Sequence, residues 1–261
     1  MAKMNLGGHV QPLRNVAALH RLAIRLDERV YGLPGMACFH GWTGFGKTMA
    51  AAFVSNELQA LYVRLHDTWT VKSLLRAILK ELSLPARGTI SELEDEVTTA
   101  LAVAGRLLLV DEADYALKGR RPLIKTIRDL HDASDAPIIL IGEEELPQKL
   151  RKWERVAGRM LDWVAAQPLD LRDAELLAGH YAPRLSIEAA VLKKIVEDNG
   201  GSARFVTTQI AHFQEQSDIQ SFRRLDMAGY DRLPKHCIVA PQPRANAPLA
   251  VLPPALKVAQ G

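Results

Sequence analysis

The sequence lacks most features that would set it apart from an ordinary globular protein. Only two of its 261 residues are cysteines, Cys38 and Cys237, and they lie far apart. Cys38 falls in an apolar segment, which favours a core thiol over a disulfide. No apolar run approaches the roughly 20 residues that span a bilayer, and residues 1–10 lack the apolar core of a signal peptide. We therefore expect a cytoplasmic chain with no membrane partner.

A strong net charge is also missing. The formal net charge is +3, with 48% hydrophobic and 24% charged residues, which is usual for a globular domain. This mild excess permits a nucleic-acid surface without indicating one, so the distribution of the basic residues has to decide. A length of 261 residues suits one large or two small domains.

The most informative segment is residues 41–48, G-W-T-G-F-G-K-T, a complete phosphate-binding loop. Its glycines let backbone N–H groups point inward at phosphate oxygens. Lys47 is expected to reach the β- and γ-phosphates of ATP, and the Thr48 hydroxyl to ligate Mg²⁺. A strand-like segment precedes the loop and a helix-forming segment follows it, as the motif requires. The predicted nucleotide-binding residues of the loop are Gly41, Trp42, Thr43, Gly44, Phe45, Gly46, Lys47 and Thr48.

A second motif follows downstream, where the apolar segment Leu107–Val110 ends in Asp111 and Glu112. Asp111 is expected to hold Mg²⁺ as a hard oxygen ligand. Glu112 is expected to orient or deprotonate the attacking water. The alternative is a solvated acidic turn that continues to Asp114. The phosphate loop favours the first interpretation, because one hydrolysing site needs both parts.

Apolar strand-like segments alternate with helical patterns up to about residue 168. This alternation predicts an α/β fold, a parallel sheet with helices on both faces. Asn15 is the expected N-cap of an earlier helix, and Ser91 with Glu94 the expected capping box of another. Helical patterns alone follow, and the proline density after Leu233 opposes packed structure. We predict an N-terminal arm and helix over 1–32, the nucleotide-binding domain over 33–168, an all-helical lid over 169–218, and an extended or disordered tail over 219–261.

Together these motifs resemble those of AAA+ ATPases. The segment 153–160, W-E-R-V-A-G-R-M, resembles the family element that carries an arginine finger. This implies that Arg159, with Arg155 as second candidate, acts on the γ-phosphate of a neighbouring subunit. The segment 200–204 resembles the lid element with the sensor-2 arginine, which implies that Arg204 contacts the nucleotide. At the sensor-1 position Glu143 replaces the Asn or Thr that the family often has, and it is expected to hydrogen-bond the attacking water as a further catalytic residue. The resemblance implies ATP, Mg²⁺ and a homo-oligomer, either a ring or a helical filament.

Within AAA+ proteins, residues 15–215 resemble the target-DNA activators of transposition, the B protein of Mu-like phages and its relatives in bacterial transposons. This resemblance implies assembly on double-stranded DNA with ATP, a transposase partner, and the bacterial host cytoplasm if a phage encodes the chain. A helicase loader or replication initiator, or a secretion-associated AAA+ ATPase, remains an alternative. Basic residues predicted to contact the DNA backbone without reading sequence are Lys72, Arg76, Lys118, Arg120, Arg121 and Lys125.

Overall fold

Five parallel strands form the central sheet of the computed structural model, which describes residues 13–235. The strands are β1 (Met36–His40), β2 (Leu61–Arg64), β3 (Leu108–Asp111), β4 (Ile138–Gly142) and β5 (Met160–Ala165). They lie in the order β2-β3-β4-β1-β5. The predicted α/β fold class is therefore confirmed.

Helices cover both faces of this sheet. These helices are α1 (Arg14–Asp27), α2 (Lys47–Glu57), α3 (Val71–Glu81), α4 (Ile90–Ala104), α5 (Leu123–Ser134), α6 (Leu146–Arg151) and α7 (Glu154–Ala157), with a 3₁₀ helix (Ala113–Leu117) after β3. Alternate residues of the strands accordingly belong to two separate hydrophobic cores. On one face Phe39 and Ile139 pack against α1 and α2. On the other, Cys38 and Leu140 pack against α3, α4 and α5. Burial on both faces explains why the central strands are continuous apolar runs.

Two predicted helix caps are displaced in the structure. Leu13 is the N-cap of α1, while Asn15 lies buried inside the helix. The capping box of α4 is formed by Thr89 and Glu92, each accepting a hydrogen bond from the other's backbone N–H. The pair Ser91 and Glu94 has the same spacing, so the motif alone did not distinguish between two starts two residues apart.

A third core lies in the lid, which follows β5. It is built from α8 (Leu171–Tyr181), α9 (Ala189–Asp198), α10 (Ala203–Gln220) and α11 (Met227–Arg232). Two very short strands, β6 (Ser186–Ile187) and β7 (Arg224–Leu225), pair in parallel beside these helices. The lid is therefore mainly but not entirely helical, which differs from the prediction.

The folded lid also continues past residue 218, where the sequence predicted an extended tail. Tyr230 of α11 is 1% exposed and meets Phe213 edge to face. Its hydroxyl donates to Asp198 Oδ2 at 2.7 Å. The start of the tail at 219 is thus wrong, because the short apolar segment before Pro234 completes the lid core. The rest of the predicted tail, residues 236–261, lies outside the described residues.

Cys38 is a free thiol in β1, fully buried as predicted. Burial raises the pKa of this thiol, so it stays protonated. Cys237 lies outside the described residues. No helix between residues 13 and 235 is long and apolar enough to cross a membrane.

Candidate nucleotide-binding site

The phosphate-binding loop lies at the carboxyl edge of the sheet, between β1 and α2. Because all strands are parallel, the ends of β2, β3 and β4 bring Arg64, Asp111 and Gly142 to this same edge. The connections leave β1 and β4 in opposite directions along the sheet. Open α/β sheets bind their ligands in the crevice at such a point.

The loop has the backbone conformation of a phosphate nest. Gly41, Gly44 and Gly46 have φ angles of +154°, +90° and +80°. The Lys47 ammonium donates to the carbonyls of Gly41 at 2.6 Å and Trp42 at 2.9 Å. The positive charge of Lys47 is therefore already positioned inside the loop, on the side where a phosphate would bind.

Asp111 ends β3 with its carboxylate buried, at 2% exposure. Oδ2 accepts from the Tyr62 hydroxyl at 2.8 Å, and Oδ1 from the Glu112 N–H at 2.9 Å. Burial and the nearby Asp111 charge raise the pKa of Tyr62, so the phenol remains the donor. Each Asp111 oxygen retains a second lone pair, as a hard-cation ligand requires.

Glu112 has a left-handed backbone, with φ of +56°, which is uncommon for a residue other than glycine. Its Oε1 accepts from Arg64 Nη2 at 3.0 Å. Arg64 ends the neighbouring strand β2, and the two side chains are 50% and 32% exposed. No local pattern indicates this ion pair, because its partners are 48 residues apart in the chain.

Acidic groups from two strand ends act together on the Lys47 ammonium. Burial lowers the pKa of Lys47, while the carboxylates of Asp111, Glu112, Glu143 and Asp114 oppose that change. The structure thus brings the predicted loop lysine, the β3 carboxylates and Glu143 into one electrostatic environment. Glu143 itself is exposed on the loop after β4.

The donors at this edge suit a Mg²⁺ ion that arrives with a nucleotide. Between residues 13 and 235 no group of three or more His, Cys, Asp or Glu could hold a metal ion by itself. Nucleotide-bound Mg²⁺ needs only one or two protein oxygens, because phosphates and water supply the others. The Thr48 hydroxyl and the Asp111 carboxylate match that requirement.

The lid rests directly on the phosphate loop through the start of α10. The Gly44 carbonyl accepts from the Arg204 N–H at 3.2 Å and from the Ser202 hydroxyl at 3.5 Å. A Cβ at residue 44 would collide with Ser202, so glycine is required there by the lid as well as by its φ angle. The structure therefore places Arg204, with an exposed side chain, beside the loop.

Known proteins share both this sequence pattern and this architecture. Residues 31–150 match the family model of the AAA domain. The ORC2 protein of Aeropyrum pernix, solved in ADPNP–ADP complexes, is similar with a TM-score of 0.65 and 18% sequence identity. The match covers 86% of this chain and 68% of that chain. The chain has an AAA+ fold.

Two further structures share the AAA+ fold. The Aeropyrum pernix ORC1 protein in complex with DNA has a TM-score of 0.59 and 18% identity, over 85% of this chain and 65% of that chain. The RuvB Holliday junction branch migration motor of Thermotoga maritima has a TM-score of 0.55 and 19% identity, over 82% of this chain and 65% of that chain. This chain spans about two thirds of the length of each. No curated protein sequence matches it.

The AAA+ fold places Arg159 and Arg155 at the opposite edge of the sheet from the phosphate loop. The Arg159 carbonyl accepts from Met36 N–H at the start of β1, whereas the loop follows the end of that strand. β1 has five residues, a length of about 13 Å at roughly 3.3 Å per residue. The two arginines are therefore not brought together with the loop of their own chain.

Asp114 is a structural member of the site, whereas the sequence analysis named it only within the alternative of a solvated acidic turn. It is 9% exposed. Oδ2 accepts from the Glu143 N–H at 2.7 Å, and Oδ1 pairs with Lys149 at 3.0 Å. A Cβ at Gly142 would collide with Asp114. Asp114 thus fixes the Glu143 loop to the segment that carries Glu112.

Asn15 is a second residue whose role differs from the prediction, because it is not the N-cap of α1. Its amide donates to the carbonyls of Phe45 and Gln167, both at 2.8 Å, and its Oδ1 accepts from Gln167 N–H at 2.9 Å. The neighbouring Arg14 pairs with Asp170 of the lid at 2.5 Å. The start of α1 therefore joins the phosphate loop to the connection between sheet and lid.

The predicted DNA-contacting residues lie on two segments of the chain. Lys118, Arg120 and Arg121 are exposed between the 3₁₀ helix and α5, and Lys125 is exposed on α5. Lys72 is different, because its ammonium donates to the Gly88 carbonyl at 2.8 Å and the side chain is partly buried. Arg76, one turn later on α3, is exposed.

A cavity of about 450 Å³ lies between Lys118, in the first of these segments, and Glu112. It opens between the 3₁₀ helix and α6, and Glu112 lies in its wall. Lys118 also lies in this wall, with its ammonium 4.5 Å from the centre of the Tyr115 ring. The wall also includes Tyr115, Glu143, Lys149 and Trp153.

Proposed function

We propose that the chain is an ATP-dependent DNA-binding regulator of transposition. It assembles on duplex DNA with ATP, presents that DNA to a transposase, and is released by hydrolysis. One observation supports coupling between DNA binding and ATP hydrolysis: Lys118 and Glu112 line the same cavity and are separated by a single 3₁₀ helix. A DNA phosphate bound at Lys118 contacts the segment that holds the hydrolytic carboxylate.

In this proposal each group at the carboxyl edge has a defined task. The loop N–H groups and Lys47 bind the β- and γ-phosphates. Thr48 and Asp111 would hold Mg²⁺, which when bound would supply positive charge that offsets the charge of the phosphates. Glu112 orients the attacking water and accepts its proton. Glu143 contributes to positioning that water.

Two arginines complete the proposed site. Arg204 closes it from the lid, beside Gly44. Arg159 lies too far from its own loop, so it serves the γ-phosphate of a second copy, which makes the active form a homo-oligomer. The edge of the sheet at which Arg159 lies also carries an exposed apolar loop, which supports an interface. In this loop Val30 is 71% exposed, Tyr31 92% and Leu33 49%.

We also propose a revised division of the chain. The nucleotide-binding domain includes α1, which packs on α2 and on the sheet, and it ends at about residue 168. The lid extends from there to α11 at least. This division keeps each of the three cores inside one unit.

Assembly on DNA tests the proposal. We expect the wild type to sediment as a large species with duplex DNA and ATP, and as a small species with ADP. The double change Arg120→Ala and Arg121→Ala should weaken DNA binding at low salt. It should also reduce the slope of log affinity against log salt by about two, at roughly 0.9 for each DNA phosphate that is no longer neutralised. Lys193→Ala in the lid, exposed and remote, is the control. An ATP-independent sedimentation profile, or an unchanged slope, would contradict the proposal.

The Arg64–Glu112 ion pair leads to a separate prediction. Glu112 must leave Arg64 before its carboxylate can accept a proton from water. An exposed pair of this kind is worth about 0.2–1 kcal/mol, so Arg64→Ala should raise the ATPase rate without DNA by up to about fivefold. Steady-state hydrolysis measures this, with nucleotide affinity unchanged. Arg106→Ala, which removes a partly buried arginine beside the other end of β3, should have no effect. A rate that falls in Arg64→Ala would show that the pair assists catalysis instead.

A second candidate function is a replication initiator or helicase loader. The solved AAA+ structures that resemble this chain include two ORC proteins, one of them in complex with DNA. The ATPase parts would be the same, so the partner decides between the two. Stimulation of strand transfer by a transposase supports the first function, and ATP-dependent recruitment of a replicative helicase supports the second.

A further inference from the structure

Arg159 is held by a bidentate contact within its own chain. Its Nε donates to Asp132 Oδ1 at 2.8 Å, and its Nη2 donates to Asp132 Oδ2 at 2.9 Å. Its Nη1 donates to the Arg155 carbonyl at 3.2 Å. Two parallel charge-assisted bonds fix both the position and the plane of a guanidinium group.

This arrangement leaves part of the guanidinium available. The group has five N–H donors, and three of them are used by Asp132 and the Arg155 carbonyl. One donor on each terminal nitrogen remains. The Arg159 side chain is 39% exposed, so these donors can reach an anion on a docked surface.

Asp132 is well placed for this task because it lies in the last turn of α5, a helix packed into the core. Its carboxylate also has Arg128 Nε at 3.8 Å, one turn earlier on the same helix. Asp132 is thus fixed by a rigid element, whereas Arg159 lies in the short link between α7 and β5.

We infer that Asp132 is a positioning residue, which holds Arg159 in the orientation that reaches the γ-phosphate of the neighbouring subunit. The inference rests on the proposed finger role of Arg159. An unanchored arginine would lose side-chain conformational entropy each time two subunits associate. The contact with Asp132 removes most of this entropic cost, because the side chain is already ordered. Misplacing a reacting group by about 1 Å can reduce a rate by about a hundredfold.

Mixed assemblies separate this role from a merely structural one. Lys47→Ala chains lack a working loop but donate a finger, and Arg159→Ala chains lack the finger but offer a working loop. A 1:1 mixture should recover about one quarter of wild-type ATPase activity, the fraction of correctly ordered pairs in a head-to-tail interface. No recovery would overturn the finger role itself, and the inference with it.

Asp132→Asn is then placed in one chain at a time. In the finger-donating Lys47→Ala chain it should reduce the recovered kcat about ten- to a hundredfold, with KM for ATP unchanged. In the Arg159→Ala chain it should have no effect, which also shows that the variant folds. Equal effects in both chains, or none in either, would overturn the inference.

Asp129→Asn is the matched control. Asp129 lies on the same helix, carries the same charge, and pairs with Arg128 instead of Arg159. In the finger-donating chain it should leave the recovered rate within about twofold of the unmodified mixture, because the Asp129–Arg128 pair does not hold Arg159. A reduction as large as that of Asp132→Asn would assign the effect to the charge of α5, and would overturn the positioning role.

Discussion

Replacing Arg159 with alanine should reduce ATP hydrolysis by the assembled protein about a thousandfold or more. The reason is electrostatic: negative charge develops on the transferred phosphoryl group, and in the proposed function the guanidinium of the adjacent copy supplies the compensating positive charge. Nucleotide binding by dilute, unassembled protein should be unchanged, because Arg159 lies at the opposite edge of the sheet from its own loop.

Two measurements check this result. The steady-state ATPase rate is followed against protein concentration, and nucleotide affinity is measured on the dilute protein. Arg155→Ala is the paired variant. Its backbone carbonyl, which holds Arg159 Nη1, is retained, so a smaller reduction than in Arg159→Ala is expected. An equal weakening of nucleotide binding by the dilute Arg159→Ala protein would remove Arg159 from the finger role.

Glu112→Gln is expected to lower kcat about 10²- to 10⁴-fold while ATP binding and assembly on DNA persist. The amide keeps the shape of the side chain but cannot accept a proton from water. Without hydrolysis the assembly should remain on DNA with ATP for as long as the nucleotide lasts. Single-turnover hydrolysis and the lifetime of the DNA complex measure the two effects.

Glu145→Gln provides the matched control for this change. Glu145 lies on the loop after β4, is 77% exposed, and pairs with Lys149 at 3.5 Å. Its removal should alter hydrolysis by no more than a few-fold, the worth of an exposed ion pair. If Glu112→Gln hydrolyses ATP at a near-normal rate, the hydrolytic carboxylate must be another one, and Glu143 is then the next candidate.

The parts of the site that the sequence predicted are those encoded locally. The loop from Gly41 to Thr48 is one contiguous motif, and its strand–loop–helix context lies directly beside it. Asp111 and Glu112 follow an apolar run that is recognisable as a buried strand. The α/β fold class was predictable for the same reason, since buried strands and amphipathic helices alternate over most of the chain.

The supporting residues could not be predicted because their contacts join distant positions. Asn15 bonds to a residue 152 positions away. Arg159 meets Asp132 across 27 positions, and the Glu143 N–H reaches Asp114 across 29. No periodicity or local spacing encodes such pairs. The last helix of the lid, α11, was not predicted for a different reason. It contains Tyr230 but has only six residues, and a helix of that length is too short to show an amphipathic pattern.

The placement of Lys47 and Arg159 at opposite edges of one parallel sheet affects how many complete sites an assembly contains. In the proposed arrangement, where Arg159 serves the loop of a second copy, the subunit at one end of an open row has a loop that no finger reaches, and the subunit at the other end has a finger without a loop to serve. Every open row therefore contains one fewer complete site than it has subunits, whereas a closed circle loses none. Specific activity should rise with length in rows and stay constant in circles. The rate per subunit thus distinguishes the two shapes without an image of either.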